Sequence, residues 1–321
     1  MPSRWPHDQA AGACRCQTRG VLMVVHPVTT FQAVVLGLLQ GVTELFPVSS
    51  LGHTVLFPTL FGWHGLVRSQ SDPESFWLAF VVMLHVGSAI GLLIYFWRDW
   101  LAIIAAFFRT LRYRSVKTPT EKLAWLIVVA SIPTGLIGLA FEHPARVALA
   151  KPATGAIFLT VNGFILIFAE RFRRRGEVRA LAAANDPKAD GGRRLDTLTY
   201  REAAGVGVAQ SAALIPGISR DGVCMTTGLA RGLDNADAAR YAFLLATPII
   251  LAAGIFKIGD LLGPLGDGVR GQALLAAACA AAASVAATAF LVRYFQNRNL
   301  IPFGIYCILF GGFMIVYTAV T

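Results

Sequence analysis

Residues 40–53 read QGVTELFPVSSLGH, which sets Gln40, Glu44, Ser49, Ser50 and His53 into otherwise apolar sequence. A charged side chain at the centre of a bilayer costs about 2.5–3.5 kcal/mol even on insertion scales, so ionisable groups at membrane depth mark a functional site. The apolar run over 28–46 stops at Pro47, and a second short run follows over 51–61. Each falls short of the roughly 20 residues that cross the hydrocarbon core. Together they predict a re-entrant helix-loop-helix, a break tolerated at depth where the loop lines a cavity.

The rest of the chain supplies the membrane. With 321 residues, 55% hydrophobic content, 14% charged residues and a mean hydropathy of +0.60, it is too apolar for a soluble domain of this length. Runs over 76–96, 123–141, 153–169, 241–256, 273–292 and 301–320 predict six full spans, and short runs over 203–215 and 223–230 predict a second broken pair, interrupted by PGISRDG at 216–222. The net charge of +10 sits between the apolar runs, where orientation in the membrane requires cations, which argues against nucleic acid as a partner. Arg98, Arg109, Arg112, Arg114 and Lys117 form one basic segment; Arg171, Arg173, Arg174, Arg175, Arg179, Lys188, Arg193 and Arg194 form another. Both are expected as cytoplasmic loops, with Glu142 and Asp267 on the opposite side. Residues 1–22 lack the apolar core of a signal peptide and are expected as a disordered leader, with Met23 as an alternative start. Cys14, Cys16, Cys224, Cys279 and Cys307 have neither zinc nor redox spacing.

The two broken pairs overlay when 170 is added to the residue number: Gly37 meets Gly207, Gln40 meets Gln210, Ser49 meets Ser219 and Gly52 meets Gly222, with Pro47 one position from Pro216. Three spans follow each pair. The expected fold is therefore an all-α polytopic integral membrane protein of two inverted repeats, each a re-entrant helix-loop-helix followed by three transmembrane helices. Residues 23–169 make the first repeat, 170–200 a basic cytoplasmic loop, and 201–321 the second.

Such repeats bring their breaks together near the midplane. Gln40 and Glu44, spaced i, i+4, share one helix face and can meet one metal ion, Glu44 as carboxylate or base and Gln40 through its carbonyl oxygen. Ser50 is a candidate nucleophile, with the His53 imidazole three positions on as its base; Ser49 reads first as a helix cap and otherwise as a substrate-binding hydroxyl. Ser219 and Arg220 follow Pro216 and Gly217 just before a helix that begins near Gly222, a pattern that cradles phosphate on backbone N–H groups and a guanidinium. Asp221 can pair with Arg220 or join the metal ligands. His85, mid-span, reads as a packing residue. The set suits phosphoryl chemistry on an amphiphile whose tail enters between helices.

These residues also resemble a family. QGVTELFPVSSLGH and IPGISRDG (215–222) are similar to the two signature motifs of the bacterial undecaprenyl-diphosphate phosphatases linked with bacitracin resistance, and SIPTG (131–135), FLLATP (243–248) and PFGIY (302–306) extend the likeness. The resemblance implies removal of the terminal phosphate of undecaprenyl diphosphate with a divalent cation, Mg²⁺ or Ca²⁺, in the bacterial inner membrane, recycling the carrier for cell-wall synthesis. It implies Glu44 and Gln40 as the acidic motif, Ser50 as nucleophile, His53 as acid/base and Arg220 as the phosphate-binding arginine. The chain departs from the pattern at Asp221 (commonly Ser), Cys224 (commonly Thr) and Cys307 (commonly Arg). The expected partners are a polyprenyl diphosphate lipid, the membrane and a second copy in a homodimer. The main rival is a lipid or small-solute transporter or flippase on the same repeats. The type-2 phosphatidic-acid phosphatases are excluded because their pattern needs a histidine after the Ser-Arg pair, and none follows His143. A purely structural scaffold leaves buried Glu44 and Arg220 unexplained.

Overall fold

The computed structural model describes residues 28–71, 76–149, 151–184 and 193–321. The expected leader with Cys14 and Cys16, Met23, and Lys188 lie outside them, as does the side chain of Glu142. Within the described residues the helices are α1 (Thr30–Leu45), α2 (Ser50–Leu60), α3 (His64–Ser71), α4 (Trp77–Tyr95), α5 (Trp97–Tyr113), α6 (Pro119–Leu149), α7 (Pro152–Ala184), α8 (Tyr200–Gln210), α9 (Arg220–Ala230), α10 (Asn235–Leu262), α11 (Arg270–Tyr294) and α12 (Ile301–Val320). Six of them, α4, α6, α7, α10, α11 and α12, contain stretches long and apolar enough to cross a membrane, and these coincide with the six expected spans.

The two broken pairs are built alike. Thr29 caps α1 and Thr199 caps α8 through the same reciprocal box, with Gln32 and Glu202 reaching back to the cap N–H. Ser49 caps α2 by accepting from the Gly52 N–H, and Ser219 caps α9 by accepting from the Gly222 N–H. The offset that aligns the two sequences thus also aligns caps and helix starts. The pairs differ in length before the break. α1 runs to Leu45, whereas α8 stops at Gln210 and passes into a 3-10 turn over Ser211–Leu214.

Packing is governed by small residues, as expected where lipid provides no hydrophobic drive between helices. α11 carries Ala276, Ala277, Ala280, Ala281 and Ser284, and lies between α1 and α4. Gly37 and Gly41 of α1 face the carbonyls of Ala276 and Ala280, while Gly87 and Gly91 of α4 face those of Ala277 and Ala281. The Ser284 hydroxyl donates to the Gly41 carbonyl at 3.1 Å. This backbone-close packing fixes α1, which bears Gln40 and Glu44, against α4, which bears His85. On the other side, Gly207 of α8 faces the Ala130 carbonyl of α6, and Thr134 donates to the Gly207 carbonyl at 2.7 Å.

Two segments expected as basic loops are helical. Residues 97–113 form α5, with Asp99 in its first turn and Arg112 in its last, both favourable to the helix dipole. Its inner face packs on α6, where Trp125 donates to Thr110 at 2.9 Å, and Arg109 pairs with Glu121 at 2.6 Å. Leu101, Ile104 and Phe108 are exposed. The second departure is α7, which continues through Arg171, Arg173, Arg174 and Arg175 to Ala184, because Glu170 pairs with Arg173 and Arg174 one turn on.

A methyl group at Gly41 or Gly87 forces backbone apart, so Gly41→Ala and Gly87→Ala are each expected to destabilise the detergent-solubilised protein by about 1–3 kcal/mol. Gly135→Ala on α6, where nothing lies within 4 Å of an added Cβ, is expected to be neutral or stabilising. Thermal unfolding of the three variants checks this.

Candidate active site

The Glu44 carboxylate is the centre on which both breaks converge. It sits at the C-terminal end of α1, 6% exposed, and all its neighbours face it as donors or potential donors. Gln40 Nε2, one turn earlier, donates to Oε2 at 2.9 Å. Ser50 Oγ, at the start of α2, donates to the same oxygen. Arg220 Nη2, from the start of α9, donates to Oε1 at 2.8 Å. Nε2 of His85, from the middle of α4, lies 3.3 Å from Oε2. Burying a carboxylate is costly unless its charge is compensated and its lone pairs are used, and both conditions are met here.

The imidazole beside Ser50 is therefore His85, with Nε2 at 3.4 Å from Ser50 Oγ. Its Nδ1 donates to the Val81 carbonyl at 2.8 Å, which fixes the ring and, in the neutral form, leaves the Nε2 lone pair facing the hydroxyl. This corrects the expected geometry, in which His53 would reach Ser50 along the helix. His53 is fully buried and turned away: Nδ1 donates to the Ser49 carbonyl at 2.7 Å, Nε2 accepts from the Tyr306 hydroxyl at 2.7 Å, and the ring stacks on Tyr306 and Phe310. Both nitrogens of His53 are thus engaged in tying α2 to α12.

The remaining residues of the two motifs hold the breaks together. Ser49 has a left-handed φ of 68°, a conformation that costs a non-glycine residue on the order of 1–3 kcal/mol. Its hydroxyl accepts from the Gly52 and Gly217 N–H groups, each at 3.2 Å, so one side chain bridges both breaks. Gly217 has φ of +102°, and a Cβ there would strike the α7 backbone around Gly155 and Leu159. Pro216 is buried beside it. The Ser219 hydroxyl caps α9 at Gly222, whose own added Cβ would lie 3.0 Å from Ser219 Cβ. The Ser49 hydroxyl and Gly217 N–H, read from sequence as substrate-binding, are thus engaged between the loops, and the Ser219 hydroxyl is engaged within its own. The group of the second break that reaches the site is the Arg220 guanidinium, carried at the N-terminus of α9.

One positioning residue carries no motif. Asn162, fully buried on α7, donates from Nδ2 to the Pro47 carbonyl at 3.0 Å and accepts at Oδ1 from the Ser219 N–H at 3.0 Å. A single amide thereby pairs one backbone group from each break. Nδ2 also lies 3.5 Å from the sulfur of Cys307. The described cysteines are unpaired, and Cys224 donates to Gln210 Oε1 at 3.0 Å, on the repeat-related face.

For the expected divalent cation, the fit rests on oxygens. Gln40 Oε1 is buried and has no hydrogen-bond partner, so a carbonyl ligand stands beside the Glu44 carboxylate. No cluster of three or more His, Cys, Asp or Glu with metal-binding geometry occurs among the described residues. One carboxylate and one carbonyl suit Mg²⁺ that takes its remaining ligands from substrate phosphates and water.

Fold and site define a polytopic membrane protein in which a buried carboxylate gathers a hydroxyl, an imidazole and a guanidinium where two helix breaks meet. The profile of the bacitracin resistance protein BacA family matches residues 33–313, and the chain belongs to that family. It is 47% identical to an undecaprenyl-diphosphatase 2 of Frankia alni, over 92% of this chain and 100% of that one. It is 50% identical to an undecaprenyl-diphosphatase of Mycolicibacterium paratuberculosis, over 90% of this chain and 97% of its relative. With an undecaprenyl-diphosphatase of Acidiphilium cryptum the identity is 42%, over 90% and 98% of the two chains.

Asn162→Ala orphans the Pro47 carbonyl and the Ser219 N–H together, at about 1–3 kcal/mol for each buried group. Asn162→Asp keeps the acceptor but sets a carboxylate against the Pro47 carbonyl, and is expected to be at least as harmful. Thermal unfolding in detergent, compared with the neighbouring exposed-face change Val161→Ala, reads the loss.

Proposed function

We propose that the chain hydrolyses undecaprenyl diphosphate to undecaprenyl phosphate and inorganic phosphate in the bacterial inner membrane, regenerating the lipid carrier for cell-wall synthesis. The observation that carries this reading is the placement of Ser50 Oγ within reach of His85 Nε2, with the Arg220 guanidinium held on the same carboxylate. Membership in the family and the names of the relatives support the substrate.

In this reading Arg220 and the N-terminus of α9 hold the terminal phosphate, meeting charge that spreads over its oxygens in the transition state. His85, oriented by Val81, takes the Ser50 proton as Oγ attacks the terminal phosphorus. The P–O bond to the inner phosphate breaks, and the proton held by His85 passes to the leaving lipid phosphate. Water then splits the phosphoserine ester, returning Ser50 and releasing inorganic phosphate. Glu44 keeps His85 and Arg220 in register. Gln40 Oε1 and the Glu44 carboxylate would hold a divalent cation, which would neutralise charge on the transferring group. His53 supports the site from behind through Tyr306. The inverted relation of the two broken pairs is part of the proposal, supported by their matched caps and by the reciprocal packing of α1 on α11 and α8 on α6. So is the homodimer, to be read from the mass of the protein–detergent complex.

Purified protein is expected to release phosphate from a polyprenyl diphosphate, with Ser50→Ala and Arg220→Lys each lowering kcat/KM by about 10²–10⁴-fold. His85→Ala is expected to lower kcat by about 10²-fold or more, while His53→Phe acts mainly on stability. Full activity in Ser50→Ala would remove the covalent route. No phosphate release by the wild-type protein, with movement of the intact lipid across vesicles, would establish the transporter instead.

A further inference from the structure

Asp221 is the acidic group that the mechanism does not use. It occupies the first turn of α9 and is fully buried. Its Oδ1 lies 2.8 Å from Arg220 Nη1, the nitrogen of the guanidinium that does not hold Glu44. That closeness is one of charge without a directed bond. Neither Asp221 oxygen accepts a hydrogen bond, and Arg220 Nη1 donates none. The arginine thus stands between two carboxylates, bonded to Glu44 on one nitrogen and merely neighboured by Asp221 on the other. Nη1 is a buried donor that is ion-paired with Asp221 but makes no directed hydrogen bond, so an arriving anion can accept from it.

We propose that Asp221 is an internal competitor for phosphate at Arg220 and sets how weakly this enzyme holds its substrate head group and its phosphate product. The inference rests on the hydrolase reading for the identity of the anion. A phosphate oxygen that accepts from Nη1 must share that edge of the guanidinium with a fixed carboxylate. Like charges at such range repel strongly where water is excluded, and Asp221 is fully buried in the first turn of a capped helix. Glu44 does not play this part, because it accepts directed bonds from Gln40, Ser50 and Arg220 and is the common anchor of the site. The result is an anion site with built-in release: the arginine is positioned for phosphate, yet phosphate never gains its whole charge. Cys224 lies one turn further along α9 and donates to Gln210, so it does not answer Asp221.

The test compares wild type with Asp221→Asn, which keeps shape, and Asp221→Ala, which supplies no new donor, so that a folding failure in one leaves the other. Two readouts are taken in detergent: the midpoint shift of thermal unfolding with inorganic phosphate, which needs no turnover, and steady-state hydrolysis of a polyprenyl diphosphate. Both variants are expected to bind inorganic phosphate about tenfold more tightly, about 1.4 kcal/mol. KM and the constant for product inhibition should fall in step, and kcat should fall as release slows. Phosphate affinity and KM unchanged or weakened in both variants would overturn the proposal. So would a rise in the Mg²⁺ concentration needed for half-maximal activity, which would make Asp221 a metal ligand. If wild type and variants bind phosphate in the expected order but none releases it from lipid, the hydrolase reading fails and the competitor role stands.

Discussion

The ion pair between Glu44 and Arg220 is the constraint on which the structure depends. Each group belongs to a different break, Glu44 is buried and the Arg220 side chain only 12% exposed, and neither is tolerable alone at membrane depth. Bringing them to 2.8 Å requires α1 and α9 to end and begin at one place, and the rest of the bundle serves that requirement. α11 sets α1 against α4 through glycine and alanine, α7 presents Asn162 to both loops, and Ser49 accepts a strained backbone in order to bond with each. The function draws on the same pair. A carboxylate able to hold an arginine, a serine and a histidine in fixed relation is a template for phosphoryl transfer as well as a structural anchor.

Much of this was legible in the sequence because membranes make strong demands on local composition. The six spans follow from length and hydropathy, the two breaks from their prolines, and the pairing of the breaks from the offset between Ser49 and Ser219. The Gln40–Glu44 pair followed from helical spacing, and Arg220 stood out because a cation between two apolar half-helices serves no topological purpose. Other features were hidden by the same logic. Arginines at 98, 109, 112 and 114 suggested a loop between spans, although Leu101, Ile104, Phe108 and Leu111 recur at helical spacing and mark α5. Continuation of α7 past Glu170 was likewise masked by its run of arginines.

The histidines show where local reading stops. Proximity in sequence favoured His53 as the partner of Ser50, but a side chain three residues further along α2 points into α12. The imidazole that reaches the hydroxyl comes from a separate span, and only tertiary packing decides that. Part of the signal was present in a different form. Gly37 and Gly41 on α1, Gly87 and Gly91 on α4, and the alanine run of α11 are each spaced by one helical turn, and such spacing brings backbones close. Read together, they set α1 beside α4, with Gly37 level with Gly87 and Gly41 with Gly91 along α11, which names α4 as a neighbour of α1 but leaves the reach of His85 to Glu44 to tertiary packing. Asn162 had no such signature, since an amide within a span is equally consistent with a contact between any two helices.

The joining of the two breaks also limits how the molecule moves. Ser49 bonds to the backbone on both sides of the gap, and Asn162 closes it from behind, so the halves of the site form a clasp instead of a gate. A carrier that passes cargo from one side of a membrane to the other must let its central halves part in turn. Here parting would strand a strained serine, two backbone groups and an ion pair at once. The cargo of this molecule is therefore expected to come in along the plane of the bilayer, be cut where it docks, and drift away by the door through which it entered.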